Sequence, residues 1–376
     1  MASQGRSERL PLNPNLAALP PYNAGVNVQI ARERSGRSDV ARLASNENPD
    51  GCSPAVLAAL DPRAYEPWRY ADPACTELRR DLARQLPTDP ERIVVGNGSE
   101  EMIAAVARTV LQPGDTVVTV VPSFGLHEIE PLALGARVVK VPMTADLGFD
   151  LDALAAAIAA GPRLVFLGSP WNPVGPALDA AALSRLTAAM RPGTLLVLDE
   201  AYHEYAPRDR IPDGLAWLAG SRVDHVVLRT FSKAYGLAGL RVGYAVCSDG
   251  EIARVLRAAK TPFNVNAAAQ AAARAALADR AWMEASVARC IGERERLAAS
   301  LRALGLRVAP SATNFLFFDG GCDSATLAEW LLDQAIIVKP WREPGYTHWL
   351  RVTVGHPADN DRLLAALDVG LGSFRR

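Results

Sequence analysis

Lys233 is a candidate for covalent chemistry, because its amine follows an apolar run and adjoins residues that can bind an anion. In the segment RTFSKAYGLAGLRVGY (229–244), Lys233 follows Ser232 after an apolar run, and Arg241 follows a turn of small residues. A lysine amine can form a Schiff base with an aldehyde, and a serine and an arginine beside it can bind an anion. A lone lysine at a strand end is usually a solvated surface group, so its role depends on its neighbours in the fold.

A carboxylate and a phenol lie at the end of another apolar run. Asp199 ends the run LLVLD, and Tyr202 follows within DEAYHEY. A carboxylate at the end of a buried strand costs free energy unless it meets a cation or a proton donor. Asp199 could instead cap a helix, but that role leaves Tyr202 unexplained. We therefore interpret both residues as parts of one site.

Three further strand ends suit a flat ligand that carries an anion. In GNGSEE, Gly98, Ser99 and Glu100 open a helix and leave backbone N–H groups free for an anion. VPSFGLHE places Phe124 at a strand tip, and SPWNPVG lets Asn172 point an amide inward. Taken singly, a glycine turn with a capping serine, a core aromatic ring and a structural asparagine turn explain these segments at least as well.

Taken together, these strand ends match one ligand, pyridoxal 5'-phosphate. Its aldehyde suits the lysine, its pyridine nitrogen suits the carboxylate, and its ring oxygen suits the phenol and the amide. Its phosphate suits the helix start and the arginine. We therefore expect Lys233 to bind this cofactor covalently.

The motifs resemble those of the fold-type I pyridoxal-phosphate aminotransferases, and within them the histidinol-phosphate aminotransferase group. The resemblance covers essentially the whole chain, from LPPYNAG through LASNENPDG, YADP, GNGSEE, SPWNPVG, DEAYHEY, TFSKAYGLAGLRVGY and ATNF to LRVTVG. It implies an α/β fold with a large domain, whose mostly parallel seven-stranded sheet is flanked by helices, and a smaller α+β domain. It also implies a homodimer.

The resemblance implies a role for each site residue. Lys233 would carry the cofactor, Asp199 would keep the pyridine nitrogen protonated, and these two with Tyr202 would be the catalytic residues. Tyr202 and Asn172 would contact the ring oxygen, and Phe124 would stack on the ring. The phosphate would be held by backbone N–H groups at the helix start formed by Gly98, Ser99 and Glu100, by Ser232 and Arg241, and by Tyr70 reaching across from a second subunit.

The substrate-binding residues that the resemblance implies match the usual residues of the family less closely than the cofactor residues do. Tyr22 in LPPYNAG and Arg351 in LRVTVG would bind substrate, with Arg351 clamping a carboxylate through two parallel hydrogen bonds. Relatives usually have a second arginine upstream of this clamp, where this chain has Lys339. Lys339 or Arg342 could bind a substrate phosphate. Three nearby aromatic residues could equally line an aromatic pocket: Trp341, Tyr346 and Trp349.

We therefore expect an aminotransferase that moves an amino group from histidinol phosphate to 2-oxoglutarate in L-histidine biosynthesis. The amino donor and the 2-oxo acid acceptor would react in two half-reactions with ping-pong kinetics. Two alternatives share the cofactor residues: an aromatic amino acid aminotransferase and a threonine-phosphate-type decarboxylase. A cofactor-sensing regulator is disfavoured, because the segment before Leu43 is short and lacks a helix-turn-helix pattern.

The composition of the chain is typical of a globular enzyme and argues against several other classes of protein. The 376 residues are 49% hydrophobic and 22% charged, which is enough for a large core in two lobes. With 40 basic and 41 acidic residues the net charge is -1, which argues against nucleic-acid and membrane partners. The 5 scattered cysteines predict neither a disulfide framework nor a metal site. Because no signal peptide or membrane-spanning run is evident, we expect a cytoplasmic enzyme.

Alternating strands and helices must position the site residues. Apolar runs predict strands at 93–96, 116–121, 137–141, 163–168, 195–199, 225–229 and 241–246. Amphipathic runs predict helices at 99–111, 151–160 and 178–190. This alternation predicts a mostly parallel sheet, and ligands bind such sheets at the carboxyl ends of the strands.

A different pattern follows Thr261 and predicts the smaller domain. It contains a long helix over 267–304, strands at 314–318, 336–339 and 349–354, a helix at 324–334 and a closing helix. We divide the chain into an extended N-terminal arm (1–42), a large pyridoxal-phosphate-binding domain (43–265) and a small C-terminal domain (266–376).

Overall fold

The computed structural model describes residues 10, 12–19, 25–61, 63 and 66–374. The strands are β1 Ala41–Arg42, β2 Ile93–Gly96, β3 Thr116–Val121, β4 Arg137–Pro142, β5 Leu164–Gly168, β6 Leu195–Asp199, β7 His225–Thr230, β8 Gly243–Cys247, β9 Arg307–Val308, β10 Phe315–Asp319, β11 Ile336–Ile337, β12 Lys339–Pro340 and β13 Trp349–Thr353. The helices are α1 Pro14–Ala17, α2 Val28–Ser35, α3 Pro54–Ala59, α4 Thr76–Gln85, α5 Gly98–Val110, α6 Leu126–Ala133, α7 Leu151–Ala159, α8 Ala180–Ala188, α9 Gly214–Leu218, α10 Gly250–Ala259, α11 Ala267–Ala278, α12 Arg280–Ala303, α13 Ser324–Asp333 and α14 Pro357–Phe374.

The larger sheet has seven strands in the order β2-β8-β7-β6-β5-β3-β4. Strand β8 runs antiparallel to both of its neighbours, and the other pairs are parallel. Helices cover both faces: Ile103 of α5 and Leu256 of α10 belong to one buried cluster, whereas Ile158 of α7 and Leu186 of α8 belong to another. This arrangement confirms the predicted mostly parallel seven-stranded sheet, and it explains why its central strands are apolar throughout.

A smaller antiparallel sheet, in the order β12-β13-β10-β9, builds the second lobe. Helices α12, α13 and α14 pack on it around a core that includes Phe318, Leu327 and Leu350. Strand β1 pairs in parallel with β11, which ties the early chain to this lobe. The predicted α+β lobe is therefore present, while the domain boundaries remain a prediction. Within the described ranges, no helix has the length and apolar character needed to cross a membrane.

Two elements that were predicted as continuous are each divided in the structure. The helix predicted over 267–304 is two helices, because Asp279 has φ −103° and ψ 54°, outside the helical region. The strand predicted at 336–339 is divided between two sheets. Ile336 pairs with Ala41, whereas Lys339 pairs with Arg351.

Two other predictions are corrected near the ends of elements. The strand expected from Arg241 begins at Gly243, because Arg241 has a left-handed φ of 57°. The arm was expected to be extended, but its described part contains α1 and α2. Asn27 begins α2, since its side chain accepts a hydrogen bond from the backbone N–H of Gln29 at 2.8 Å. Gly36, with φ 68°, ends it.

Candidate active site

A cavity of about 700 Å³ lies where the carboxyl ends of the larger sheet face the smaller sheet. Most of the predicted site residues line it: Ser99, Glu100, Phe124, Asn172, Asp199, Tyr202, Ser232, Lys233, Arg241, Lys339 and Arg351. Gly98 does not line the cavity, but it lies beside Arg241, which does. Tyr22 lies outside the described residues. The fold thus gathers side chains from segments far apart in the sequence around one space.

Lys233 lies just beyond β7 and faces the cavity. Its Nζ donates a hydrogen bond to the backbone oxygen of Ser45 at 3.0 Å and lies 5.9 Å from the centre of the Tyr202 ring. Burial, together with the positive charge of Arg351, lowers the pKa of Lys233 from 10.5 to about 8. The amine therefore loses its proton more readily than an exposed lysine, as a nucleophile must.

Asp199 ends β6 and is held by a buried histidine. Its Oδ2 lies 3.3 Å from Nε2 of His127, and its Oδ1 accepts a hydrogen bond from the backbone N–H of Ala201 at 3.0 Å. His127 stacks on Phe166, with ring centres 4.9 Å apart. These contacts fix the direction of the carboxylate. The sequence analysis missed His127, because a single histidine in VPSFGLHE gives no sign that it faces Asp199.

Tyr202 and Asn172 are also held by buried partners. The hydroxyl of Tyr202 accepts a hydrogen bond from Nδ2 of the buried Asn46 at 2.9 Å. Oδ1 of Asn172 accepts from Nη1 of Arg351 at 2.6 Å, and Nη2 of Arg351 donates to the backbone oxygen of Ala44 at 2.7 Å. Asn46 was not predicted as a site residue, although the motif LASNENPDG contains it.

The start of α5 forms an anion cradle with Arg241. The residue before the helix, Asn97, makes no capping hydrogen bond with its side chain. Gly98 has φ +77°, and a Cβ atom there would lie 2.7 Å from Nη2 of Arg241, so only glycine fits without strain. Nη2 of Arg241 donates to Oε2 of Glu100 at 2.8 Å, and Nη1 lies 3.5 Å from Oγ of Ser232. A helix N-terminus, a guanidinium and a hydroxyl converge here, as a phosphate requires.

Aromatic rings form the wall beside Asp199. Phe124 is half-buried and meets the ring of His127 edge-on, with centres 5.7 Å apart. Trp171 is fully buried, and its Nε1 donates to the backbone oxygen of Pro122 at 2.7 Å. Phe124 can offer its face to a flat ring, while Trp171 supports the wall from behind. With the amine, the carboxylate and the anion cradle, this donor set fits pyridoxal 5'-phosphate.

The part of the cavity that the smaller sheet and the segment after it line is basic, and we call this part the basic end. Lys339 of β12 stands directly opposite Arg351 of β13 in the sheet register. Burial, together with the charges of Arg351 and Arg342, lowers the pKa of Lys339 to about 8. An anion placed between these side chains would relieve their mutual repulsion. This end of the cavity is therefore suited to a carboxylate or a phosphate.

The aromatic pocket considered from the sequence is mostly not part of this cavity. Trp341 lines it, but Tyr346 and Trp349 do not. Trp349 stacks on Phe317 with ring centres 5.0 Å apart, and Tyr346 packs near the same ring. These two rings pack into the hydrophobic core and do not form part of the cavity wall.

Tyr70 lies away from the cavity of its own chain. Its side chain is 84% exposed, and its ring packs against Phe263 with centres 4.6 Å apart. A phosphate contact from Tyr70 would therefore have to be made in another subunit.

A buried ion pair lies behind the site and joins the strands that carry it. Nε and Nη2 of Arg229 donate to Oε2 of Glu200 at 2.9 and 2.7 Å, and Nη2 also donates to Oδ1 of Asp213 at 2.9 Å. Oε1 of Glu200 accepts from the backbone N–H of Gly214 at 2.8 Å. Although burial opposes ionisation, Arg229 and His203 hold the pKa of Glu200 at about 2. Glu200 directly follows Asp199, so this pair braces the strand end that carries Asp199.

Comparisons with known proteins agree with this geometry. Residues 38–367 match the family described as aminotransferase class I and II. The chain is 45% identical over 358 residues to histidinol-phosphate aminotransferase 3 of Rhizobium meliloti, covering 95% of this chain and 96% of that protein. It is 43% identical over 347 residues to histidinol-phosphate aminotransferase 1 of Mesorhizobium japonicum, covering 92% and 95%.

Solved structures extend the comparison to the fold and the cofactor. The histidinol-phosphate aminotransferase of Sinorhizobium meliloti in complex with pyridoxal-5'-phosphate superposes with a TM-score of 0.88 at 33% identity, covering 98% of this chain and 99% of that one. A Thermus thermophilus aspartate aminotransferase gives a TM-score of 0.81 at 25% identity, covering 96% and 99%. The chain belongs to the aminotransferase class I and II family, with the type I fold, and is an enzyme that transfers amino groups with pyridoxal 5'-phosphate as its cofactor.

Proposed function

We propose that this enzyme transfers the amino group of histidinol phosphate to 2-oxoglutarate, a step of L-histidine biosynthesis. The observation that carries the proposal is the pairing of Lys339 with Arg351 at the basic end of the cavity. Two adjacent cations suit the phosphate of one substrate and the carboxylates of the other. The names of the relatives, which are histidinol-phosphate aminotransferases, support the same assignment.

Lys233 performs the central steps of the proposed mechanism. The bound cofactor supplies an aldehyde that takes up the amino group and a ring that accepts electrons. The amine of Lys233 holds the cofactor before the amino donor arrives. Once displaced, this amine would take the proton from the donor Cα and deliver it to C4′ of the cofactor, the former aldehyde carbon, so that the amino group stays with the cofactor when the oxo product leaves. Its lowered pKa suits both tasks near neutral pH.

The residues around Lys233 orient the reactants. Asp199, braced by His127, would hold a proton at the pyridine nitrogen. Tyr202 and Asn172 would hydrogen-bond the ring oxygen, and Phe124 would cover one face of the ring. The backbone N–H groups of Gly98, Ser99 and Glu100 at the start of α5 would hold the phosphate, together with the side chains of Ser232 and Arg241. Water then releases the oxo product, and the 2-oxo acid acceptor reverses the sequence.

We further propose that the enzyme is a homodimer in which Tyr70 completes the phosphate site of the partner. The exposure of Tyr70 and its distance from its own cavity support this arrangement. Oligomers of this kind are commonly two-fold symmetric, so each subunit would supply one tyrosine and receive another. We place the enzyme in the cytoplasm, and the lack of a disulfide in the described part of the chain supports this placement.

The shared site can be tested by mixing two variants, Lys233→Ala and Tyr70→Phe. In a mixed dimer one site lacks both groups and the other site has both intact. Activity should therefore exceed that of either parent and approach about a quarter of the wild-type value after random pairing of equal amounts. Subunit exchange is monitored by native mass spectrometry. If exchange is complete and activity does not recover, Tyr70 does not act across the interface.

The substrate can be tested with Lys339→Ala. A charge-assisted hydrogen bond contributes about 1.5–3 kcal/mol, so loss of Lys339 should raise the KM for histidinol phosphate roughly tenfold or more. Phenylalanine, which has no phosphate, should react nearly as well as before. Steady-state kinetics with both donors measure the difference, and Lys339→Arg serves as the control that keeps the charge.

Two results would contradict the substrate assignment. Equal losses for both donors would make Lys339 a structural residue. Faster reaction of phenylalanine or tyrosine than of histidinol phosphate in the wild-type enzyme would instead favour an aromatic amino acid aminotransferase, with Trp341 lining the pocket.

A further inference from the structure

Glu343 occupies the cavity wall between the two lobes and is held through only one of its carboxylate oxygens. Oε2 accepts a hydrogen bond from the backbone N–H of Ser123 at 3.3 Å and another from Nε1 of Trp341. Within the described ranges of the chain, no group donates a hydrogen bond to Oε1. The carboxyl is thus fixed in position while one oxygen keeps its acceptor capacity.

The neighbouring carboxylate, Glu128, is already satisfied. Its Oε1 accepts a hydrogen bond from Oγ of Ser123 at 2.9 Å, and its Oε2 forms an ion pair with Lys140. Glu128 therefore completes the wall but offers little to a ligand. Of the two acids on this wall, Glu343 is the one with a hydrogen-bonding position left over.

The surroundings of Glu343 shift the pKa of its carboxyl upward. Burial and the charge of Glu128 raise the pKa of Glu343 above its ordinary value, although the hydrogen bond from Trp341 acts in the opposite direction. Such a carboxyl can accept a hydrogen bond when ionised and can donate one when protonated. An imidazole, which has an N–H donor and a nitrogen acceptor, can pair with either form.

Glu343 borders the part of the cavity that we assign to the ring of the amino donor. It lies on the segment that follows Lys339, and both residues line the same cavity as Lys233. If the basic end holds the phosphate of the donor and Lys233 reaches its Cα, the ring of the donor is left to occupy the space that Glu343 borders. A phenyl ring in that space would cover the carboxyl without forming a hydrogen bond, which costs free energy.

We propose that Glu343 is a specificity-determining residue, which hydrogen-bonds a ring nitrogen of the amino donor and so favours an imidazole-bearing donor over a phenyl-bearing one. The inference rests on the proposed function, because it assumes that histidinol phosphate is the donor.

The test compares two amino donors, histidinol phosphate and phenylalanine, on the enzyme with its cofactor bound. In Glu343→Ala, kcat/KM for histidinol phosphate should fall roughly tenfold or more, as expected for the loss of a hydrogen bond to a charged group. The value for phenylalanine should stay within about twofold or rise, because a buried polar group that phenylalanine cannot satisfy has been removed. Glu343→Gln should retain part of the activity with histidinol phosphate, since the amide keeps a hydrogen-bonding group. Glu251→Gln, an exposed acid on α10, is the matched control.

The outcomes separate the inference from the proposed function. If the wild-type enzyme converts histidinol phosphate and Glu343→Ala changes both donors equally, or neither, the inference is overturned and the proposed function stands. If the wild-type enzyme does not convert histidinol phosphate, both fail. Selective loss with histidinol phosphate, partly restored by glutamine, supports the inference.

Discussion

Lys233→Ala is expected to lower the rate of amino transfer by about 10³-fold or more and to abolish covalent attachment of the cofactor. In the proposed mechanism Lys233 both holds the cofactor and moves the Cα proton, and a positioned acid or base alone contributes about 10²- to 10⁴-fold. Single-turnover absorbance changes with an amino donor measure the rate. Borohydride reduction of the wild-type enzyme, followed by peptide mapping, should place the pyridoxyl label on Lys233.

Lys260 provides a matched control for Lys233. It is also partly buried, and burial likewise lowers its pKa. However, its Nζ is engaged by the backbone oxygen of Val95 and the side chain of Asn264, and it does not line the cavity. Lys260→Ala should therefore keep the covalent cofactor and most of the activity. A label on Lys260 or Lys339 would refute the assignment of Lys233.

The sequence predicted which side chains would gather around one cavity, because those residues follow strand ends. Asp199, Asn172 and Lys233 each stand just beyond an apolar run, and parallel strands bring their carboxyl ends to one edge of the sheet. The residue types then restrict the chemistry: an amine, a carboxylate and an anion cradle suit few ligands together. Local sequence therefore contained both the position and the chemistry of these groups.

The residues that orient the site could not be predicted in this way. His127 contacts Asp199 from helix α6, Asn46 contacts Tyr202 from the segment after β1, and Glu343 contacts Ser123 from the other lobe. Each contact depends on how distant segments pack, and no periodicity in the sequence encodes it. The break at Asp279 was missed for a related reason, since an alanine-rich run on both sides favours one continuous helix.

Arg229→Ala is expected to lower the free energy of unfolding by about 3–5 kcal/mol, because removing one partner of a buried ion pair leaves the other charge uncompensated. The side chains of Arg229 and Glu200 are only 5% and 2% exposed. Urea unfolding, followed by tryptophan fluorescence, measures the change. Arg254→Ala is the matched control: Arg254 pairs with Glu251 on the surface of α10, and its loss should leave the unfolding midpoint nearly unchanged.

The pH dependence of the same measurement tests whether the charge of Glu200 is responsible. Its pKa of about 2 in the folded chain lies below the ordinary value of 4.5, so the pair stabilises the fold fully above that ordinary value and loses its contribution as the pH falls toward 2. The difference between Arg229→Ala and the wild type should therefore shrink in acid. A difference that does not change with pH would attribute the loss to packing of the arginine side chain instead.

A double variant, Glu200→Leu with Arg229→Met, connects the ion pair to the active site. Replacing both charges with apolar groups should recover part of the stability lost in Arg229→Ala, since no buried charge is left unpaired. Cofactor affinity should recover less, because Asp199 adjoins Glu200 and depends on the position of β6 beside β7. If the double variant is as unstable as the single one, the remaining contacts of Asp213 and His203, rather than an unpaired Glu200, determine the cost.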